Sequence, residues 1–512
     1  MGRMRLLLAA LLWGASAPLA AAQTIATSAG PDSVSVTVYR DPGRGAGRAM
    51  NLSWLSGFAL ITETRRIAIP AGEAEIRFEG VAGGILPESA IIEGFPKGVL
   101  EKNQDARLLS PGNLLDASLG RRVHIRRTAA ATGVVTESEA VIRSGADGAV
   151  VLEAPGGIEA LRCDGLPATL VYGGVPTGLS ARPTLSVRVR SDAASEALVS
   201  LSYLATGFDW QADYVAELSE DSRRMDLFAW LTLANGDETG FVNAGTQAVA
   251  GRLNRKEGRG RRPRGAPIRL SCWPAGTTTS DLGRFEQPRG SEDIMVTASR
   301  MPVPVAMMMS AAPAPPPSPT AHQEELGDLK LYRIPEPVTV AAKSQKQVAL
   351  LRRESVPVAL IYRQRIWREG EAGAVPVVTA RNRAAERLGL ALPAGGVAFF
   401  QQAGGRRILV GRGHVGNHAV GEDVEIEIGE STDVRTRVIR ETGSAKAGGH
   451  YVLTVTNAKN RPVRFEAEIE PAGSRIISEG KPLATRDGRP LWRIDVPANG
   501  KAELRYRLEP QR

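Results

Sequence analysis

The sequence predicts a mostly β protein, with two or three antiparallel β-sandwich-like domains and a disordered insertion. Three observations predict it. Apolar and polar residues alternate with period two in one segment after another, the mark of half-buried strands. Gly 55 and Pro 33 punctuate the chain, while aromatics make up only 5%, a balance that suits short strands joined by turns. No helical periodicity lasts beyond about two turns, the nearest case being Asn113 to Leu119. At 512 residues the chain has room for about two to four cores. A mean hydropathy of -0.14, without a second long apolar run, excludes a polytopic membrane protein.

In chain order, residues 1–22 read as a secretory signal peptide. Arg3 and Arg5 precede the apolar stretch Leu6 to Trp13, and small residues end at Ala20-Ala21-Ala22. That order of charge, apolar run and small residues predicts cleavage after Ala22 and a periplasmic or secreted chain without a membrane span. Residues 23–180 form an expected N-terminal β domain. Its strands include Val34 to Tyr39 and Ala74 to Phe78, the second following the turn Pro70-Ala71-Gly72. Residues 181–251 open a C-terminal β region with Leu185 to Arg190 and Val199 to Tyr203. Residues 326–512 complete it as a β-sandwich region, with strands at Val424 to Ile428, Tyr451 to Thr456, Val463 to Ile469 and Ala502 to Leu508. Each sets apolar side chains on one face and polar ones on the other, as sheets with one wet face require.

Between these parts lies the expected insertion, residues 252–325. It opens on RLNRKEGRGRRPR, in which Arg252, Arg255, Lys256, Arg259, Arg261, Arg262 and Arg264 face only Glu257. This run holds most of the formal net charge of +9, and such a cluster suits an acidic partner. Arg255, Arg259, Arg261, Arg262 and Arg264 are therefore candidate ligand-binding residues for an anionic surface polymer. The alternative is a solvated loop loosened by Gly258, Gly260 and Pro263. Nucleic acid is not the expected partner, because no aromatic interleaves the arginines to stack bases. From about Arg284 to Glu325 the chain turns to Pro, Ala, Ser and Met, a composition that cannot offset the entropy of ordering.

Two cysteines, Cys163 and Cys272, are expected to pair as one disulfide in an exported protein. The alternative is two buried thiols acting as small hydrophobes. No metal and no cofactor are expected. Met301, Met307, Met308 and Met309 offer thioethers that suit Cu(I), but no spaced Cys or His supports them. His414 and His418 stand four apart, with Glu422 and Asp423 following. The glycines around them argue against the helix that would aim both rings at one ion. Gly411 to Gly416 spells G-x-G-x-x-G, but a strand rather than a phosphate-binding helix is expected next. H-E-x-x-H, G-x-S-x-G, Walker and C-x-x-C motifs are all missing from the sequence.

Several segments resemble one exported bacterial family. Leu201-Ser202-Tyr203 through Phe208-Asp209-Trp210-Gln211-Ala212-Asp213-Tyr214, followed by Met225 to Phe241, is similar to it. So are Gly327 to Pro337 with its continuation to Leu351, and the block Tyr451 to Ile469. The family is built on domain of unknown function 4139, and some members are labelled mucoidy inhibitors. Its N-terminal companion domain resembles Val34 to Tyr39 and Ile67 through Gly94. The resemblance implies an all-β exported protein, carries over no catalytic residue, and points to an effect on envelope polysaccharide. Many relatives carry a coiled coil between the two domains, whereas residues 100–190 here show no heptads.

Trp210 and Tyr214 are candidate ligand-binding aromatics for a sugar platform. The alternative, favoured physically, is that they anchor a junction between sheets with their polar tips on backbone groups. Trp230 and Trp492 read as core. The expected function is that of an exported, non-enzymatic β-rich binding or scaffold protein of the cell envelope. Its partner would be an envelope protein or an anionic surface polymer. The alternative is an envelope glycan or peptide hydrolase using loop carboxylates. Oligomeric state is open at this level.

Overall fold

The computed structural model describes residues 24–510, except 106–107, 129–131, 145–149, 161–168, 177–178, 252–319, 445–447, 471–473 and 481. Strands make up 64% of the structure and helix 3%, so the predicted mostly β class holds. Among the described residues the strands form six sheets around three separate cores.

The largest core lies among four sheets, the fourth contributing Val378, Ala380, Val424 and Ile426. Two of them face each other near the N-terminus. One orders Thr24–Ser28, Gly72–Glu79, Thr184–Ser191 and Val99–Asp105; the other runs from His322–Leu326 across to Ile91–Glu93. The longest ladder of the second sheet pairs Phe58–Ile69 with Ser195–Thr206 over twelve residues. Alternation decides which side chains enter: Val36, Val38, Ile61 and Tyr203 from one sheet meet Ile76, Phe78, Leu185 and Val187 from the other. The third sheet orders Ser344–Pro357, Arg224–Asn235, Phe208–Leu218, Gly395–Ala403 and Arg406–Val415, and Trp210 and Phe399 carry its inner face into the same core.

Glu63 and Arg65 both stand inside this core, fully buried. Arg65 Nε and Nη2 donate to Glu63 Oε2 at 2.8 and 2.6 Å, and Nη1 donates to the carbonyls of Ser28 and Glu79 on the facing sheet. Tyr203 Oη donates to Glu63 Oε1 at 2.6 Å and accepts from the N–H of Ala82. Burial, first, and the adjoining carboxylate push the Tyr203 phenol well above its ordinary range. Every charged atom of the pair thus has a partner, the condition under which buried charge is tolerated.

A second core fills a sandwich near the C-terminus. Its two sheets are built on Ala359–Ile366, Val463–Ile469 and Arg489–Val496, and on Val434–Ser444, Gly448–Asn457 and Gly500–Pro510. Phe465, Leu453 and Val496 are wholly buried between them, and Tyr451 stacks on Tyr506. The third core is small, with Leu115, Ile125 and Leu152 at its centre. It belongs to a five-stranded sheet inserted between Val99–Asp105 and Thr184–Ser191. Leu115 comes from the helix Pro111–Ala117, where Ser110 caps the N-terminus by accepting from the N–H of Asn113, as short helices require.

The structure corrects four expectations about organisation. The boundary expected at residue 180 is crossed by hydrogen bonds: Thr184–Ser191 pairs with Gly72–Glu79, and Phe241–Ala250 pairs with Ser33–Tyr39. The region expected as one C-terminal sandwich, 326–512, is split. Its strands before Pro357 and the hairpin Gly395–Val415 join the body, and the remainder forms the sandwich, one sheet of which also sends Val378, Ala380, Val424 and Ile426 into the body core. The expected end of the insertion at residue 325 falls inside a strand, because His322–Leu326 pairs with Leu329–Arg333 and Glu324–Arg333 and Glu325–Lys330 ion pairs cross that hairpin. The sheets are also mixed, since four pairings are parallel. Long-range pairing decides each point, and local alternation carries no information about it.

Candidate functional site

Where the body meets the C-terminal sandwich, the chain passes directly from Ser344–Pro357 in one sheet to Ala359–Ile366 in the next. A cleft of about 470 Å³ opens at this step, lined by five arginines and four carboxylates. Strand alternation puts them on one face. Ala359–Ile366 turns Tyr362 into the sandwich and Arg363 outward. In register beside it, Glu466 lies opposite Arg363 and Arg493 opposite Glu466.

The charges are interlocked. Arg363 Nη1 and Nη2 grip Glu425 at 2.7 and 3.2 Å, and Nη2 also donates to Glu466 at 3.1 Å. Arg486 Nη2 reaches the same Glu425 at 2.7 Å, while Arg493 Nε donates to Glu466 at 2.8 Å. Burial raises the Glu425 carboxyl, but the hydrogen bonds from Arg363 and Arg486 outweigh it and hold the group down at about 2. Burial works against the Arg363 cation, yet Glu425 and Glu466 raise its proton affinity overall. Charge-assisted bonds of this kind are the strong ones. Glu425 therefore stays ionised at neutral pH. The arrangement suits a fixed, pre-ordered polar surface.

The expected ligand-binding aromatics lie elsewhere and inward. Trp210 is fully buried and its Nε1 donates to the carbonyl of Val249 at 3.0 Å. Tyr214 is buried with its Oη donating to the carbonyl of Pro393 at 2.6 Å. Neither ring has a face open to a sugar, so a platform built on them is ruled out by burial. Nearby, Asp209 binds Arg44 at 2.7 Å and pins the loop before Phe58–Ile69 to this strand. Trp230, read as core, instead turns outward on Arg224–Asn235 and packs edge-on against Phe228. Trp492 is half-buried and packs against Phe465.

Arg255, Arg259, Arg261, Arg262 and Arg264 lie outside the described residues, as do Cys163, Cys272, the methionine cluster and the signal segment. The G-x-G-x-x-G run is a strand: Gly411 and Gly413 sit in Arg406–Val415, where a Cβ on Gly413 would come within 2.1 Å of the Glu427 carbonyl. Its glycines serve close strand packing. His418 Nδ1 lies 3.4 Å from Glu422, and among the described residues no group of three or more His, Cys, Asp or Glu could hold a metal ion. Nor is any helix among them long and apolar enough to cross a membrane.

The cleft was not visible in the sequence. Its members come from segments such as Arg363-Gln364-Arg365, Glu425-Ile426-Glu427 and Arg464-Phe465-Glu466, each of which reads alone as the wet face of a strand. Only sheet register makes them neighbours. Compared with known proteins, the chain matches no family model and no curated protein.

Proposed function

We propose that this chain is an exported, non-enzymatic binding or scaffold protein of the bacterial cell envelope, with an anionic surface polymer as its ligand. The observation that carries the reading is the ion pairing of the cleft: Glu425 and Glu466 are each gripped by more than one arginine, which makes it a pre-ordered charged surface. The signal-like segment 1–22 supports export, and the basic run 252–264 supplies positive charge of the kind that holds polyanions. The resemblance to the family with domain of unknown function 4139 fits the same assignment.

The test is retention on an immobilised polyuronate in low and high salt, with the mature chain and a version lacking residues 252–264. Salt-sensitive retention that the deletion abolishes is expected. Equal retention of both forms would remove the basic run from the proposal. Release of new reducing ends from envelope glycan, lost in Glu425→Gln or Glu466→Gln, would replace it with the hydrolase.

A further inference from the structure

The third sheet of the body ends in a hairpin, Gly395–Ala403 with Arg406–Val415, whose second strand is the sheet edge. The two halves of that edge differ. Gly411 and Gly413 lie against Glu427 and Ile428, so closely that a Cβ on either would come within 2.1 Å of them. That half is covered. The other half, Arg406 to Val410, is exposed throughout and, among the described residues, pairs only with its own hairpin partner.

This bare half carries three apolar residues in succession: Ile408, Leu409 and Val410 are 47, 47 and 44% exposed. Neighbouring side chains of a strand point to opposite faces, so both faces of the edge are apolar here. Val410 is the extra residue of a bulge, since Gly411 opposes Phe399 and Leu409 opposes Phe400. The ladder resumes beyond it and runs to the Gly404-Gly405 turn. An apolar edge is a template for strand addition, and here the bulge and the arginines confine that template to five residues.

We propose that Arg406–Val410 is a docking edge to which a partner protein adds a strand, and that the partner segment is extended, apolar in its centre and acidic at its ends. Charge selects this partner. Arg406 and Arg407 precede the apolar triad and Arg412 follows it. Arg407 is matched by Glu217 at 2.7 Å, whereas Arg406 and Arg412 make no ion pair among the described residues. A second copy is the poorer occupant: its own Arg406–Val410 holds two arginines and no carboxylate, so self-pairing would supply no partner for Arg406. In strand addition the main-chain bonds supply affinity and alternate side chains supply specificity. The proposal is independent of polyanion binding, since it rests on other residues and on backbone pairing.

The experiment uses the full mature chain and fluorescence anisotropy of a labelled ten-residue peptide, alternating valine and threonine between two pairs of glutamates. Two controls replace the glutamates with lysines, or N-methylate alternate amides of the acidic peptide. At least tenfold tighter binding of the acidic peptide than of the lysine peptide is expected, with the N-methylated form not bound. Arg406→Glu combined with Arg412→Glu should reverse the preference between acidic and basic peptides, and both positions are exposed, so the variant keeps its circular dichroism spectrum. No binding, equal binding of the N-methylated peptide, or a preference unmoved by the charge reversal would overturn the proposal. So would a dimer in sedimentation that Leu409→Lys dissolves, because the occupant would then be a second copy.

Discussion

Replacing Arg65 with methionine should unsettle the body far more than a surface arginine change would. Arg65 has no solvent exposure, and neither has Glu63. The substitution removes the two bonds to Glu63 Oε2 and the two to the carbonyls of Ser28 and Glu79, together with the guanidinium over the Phe78 ring. What remains is a buried carboxylate whose one donor among the described residues is the hydroxyl of Tyr203. Breaking a buried pair by removing one partner costs about 3–5 kcal/mol, a large part of the roughly 5–15 kcal/mol that stabilises a domain. Replacing both members, Glu63→Leu with Arg65→Met, leaves no uncompensated charge, so the double variant should be more stable than the single one. Urea unfolding followed by hydrogen-exchange mass spectrometry distinguishes peptides of the body from those of the C-terminal sandwich. The body peptides should lose protection at lower urea in Arg65→Met and regain most of it in the double variant. A single variant with the wild-type midpoint would refute the reasoning, as would a double variant worse than the single.

Acid should weaken the cleft in a defined window. Glu425 has its carboxyl lowered from 4.5 to about 2, so its contribution is complete above the unfolded value and is lost as pH falls through the folded one. The sandwich sheet that holds Arg363, Glu425 and Arg486 should therefore loosen between about pH 4.5 and 2, and Glu425→Gln should flatten that part of a stability–pH curve; an unchanged curve would count against the assignment. Gly413→Val should separate the hairpin from the strand Asp423–Glu427, because its Cβ would meet the Glu427 carbonyl at 2.1 Å. A loss of about 1–3 kcal/mol, the usual scale of overpacking, is expected in thermal unfolding, and a neutral result would mean that the close approach is relieved at no cost.

Particular segments show how far the sequence could be read. Val463 to Ile469 was legible to the residue, because alternation of Val463, Phe465, Ala467 and Ile469 with Arg464, Glu466 and Glu468 admits only one buried face. The short helix Pro111–Ala117 overlaps Asn113 to Leu119, the one stretch that came near helical periodicity without sustaining it. Gly411 to Gly416 reads in the sequence as a glycine-rich connection between strands, whereas Gly411 and Gly413 lie inside the strand Arg406–Val415, and only the close approach of Ile428 and Glu427 gives them their role. The role of Trp230 was misread: residues on both sides of it are apolar, and only pairing with Phe208–Leu218 and Ser344–Pro357 decides which neighbour turns inward.

What the sequence by itself determined is therefore local: the β class, the positions of the alternating strands and the face along which their apolar residues lie, all of which follow from a two-residue period and from turn residues. Which strand lies beside which belongs to the tertiary structure. Ser33–Tyr39 finds Phe241–Ala250 across some two hundred residues, and Arg363 finds Glu425 and Glu466 in the same manner. Backbone hydrogen bonds are alike at every position, so they carry no address. Partner choice is settled only when whole faces are buried together, and the ion-paired cleft and the bare edge Arg406–Val410 are products of that choice.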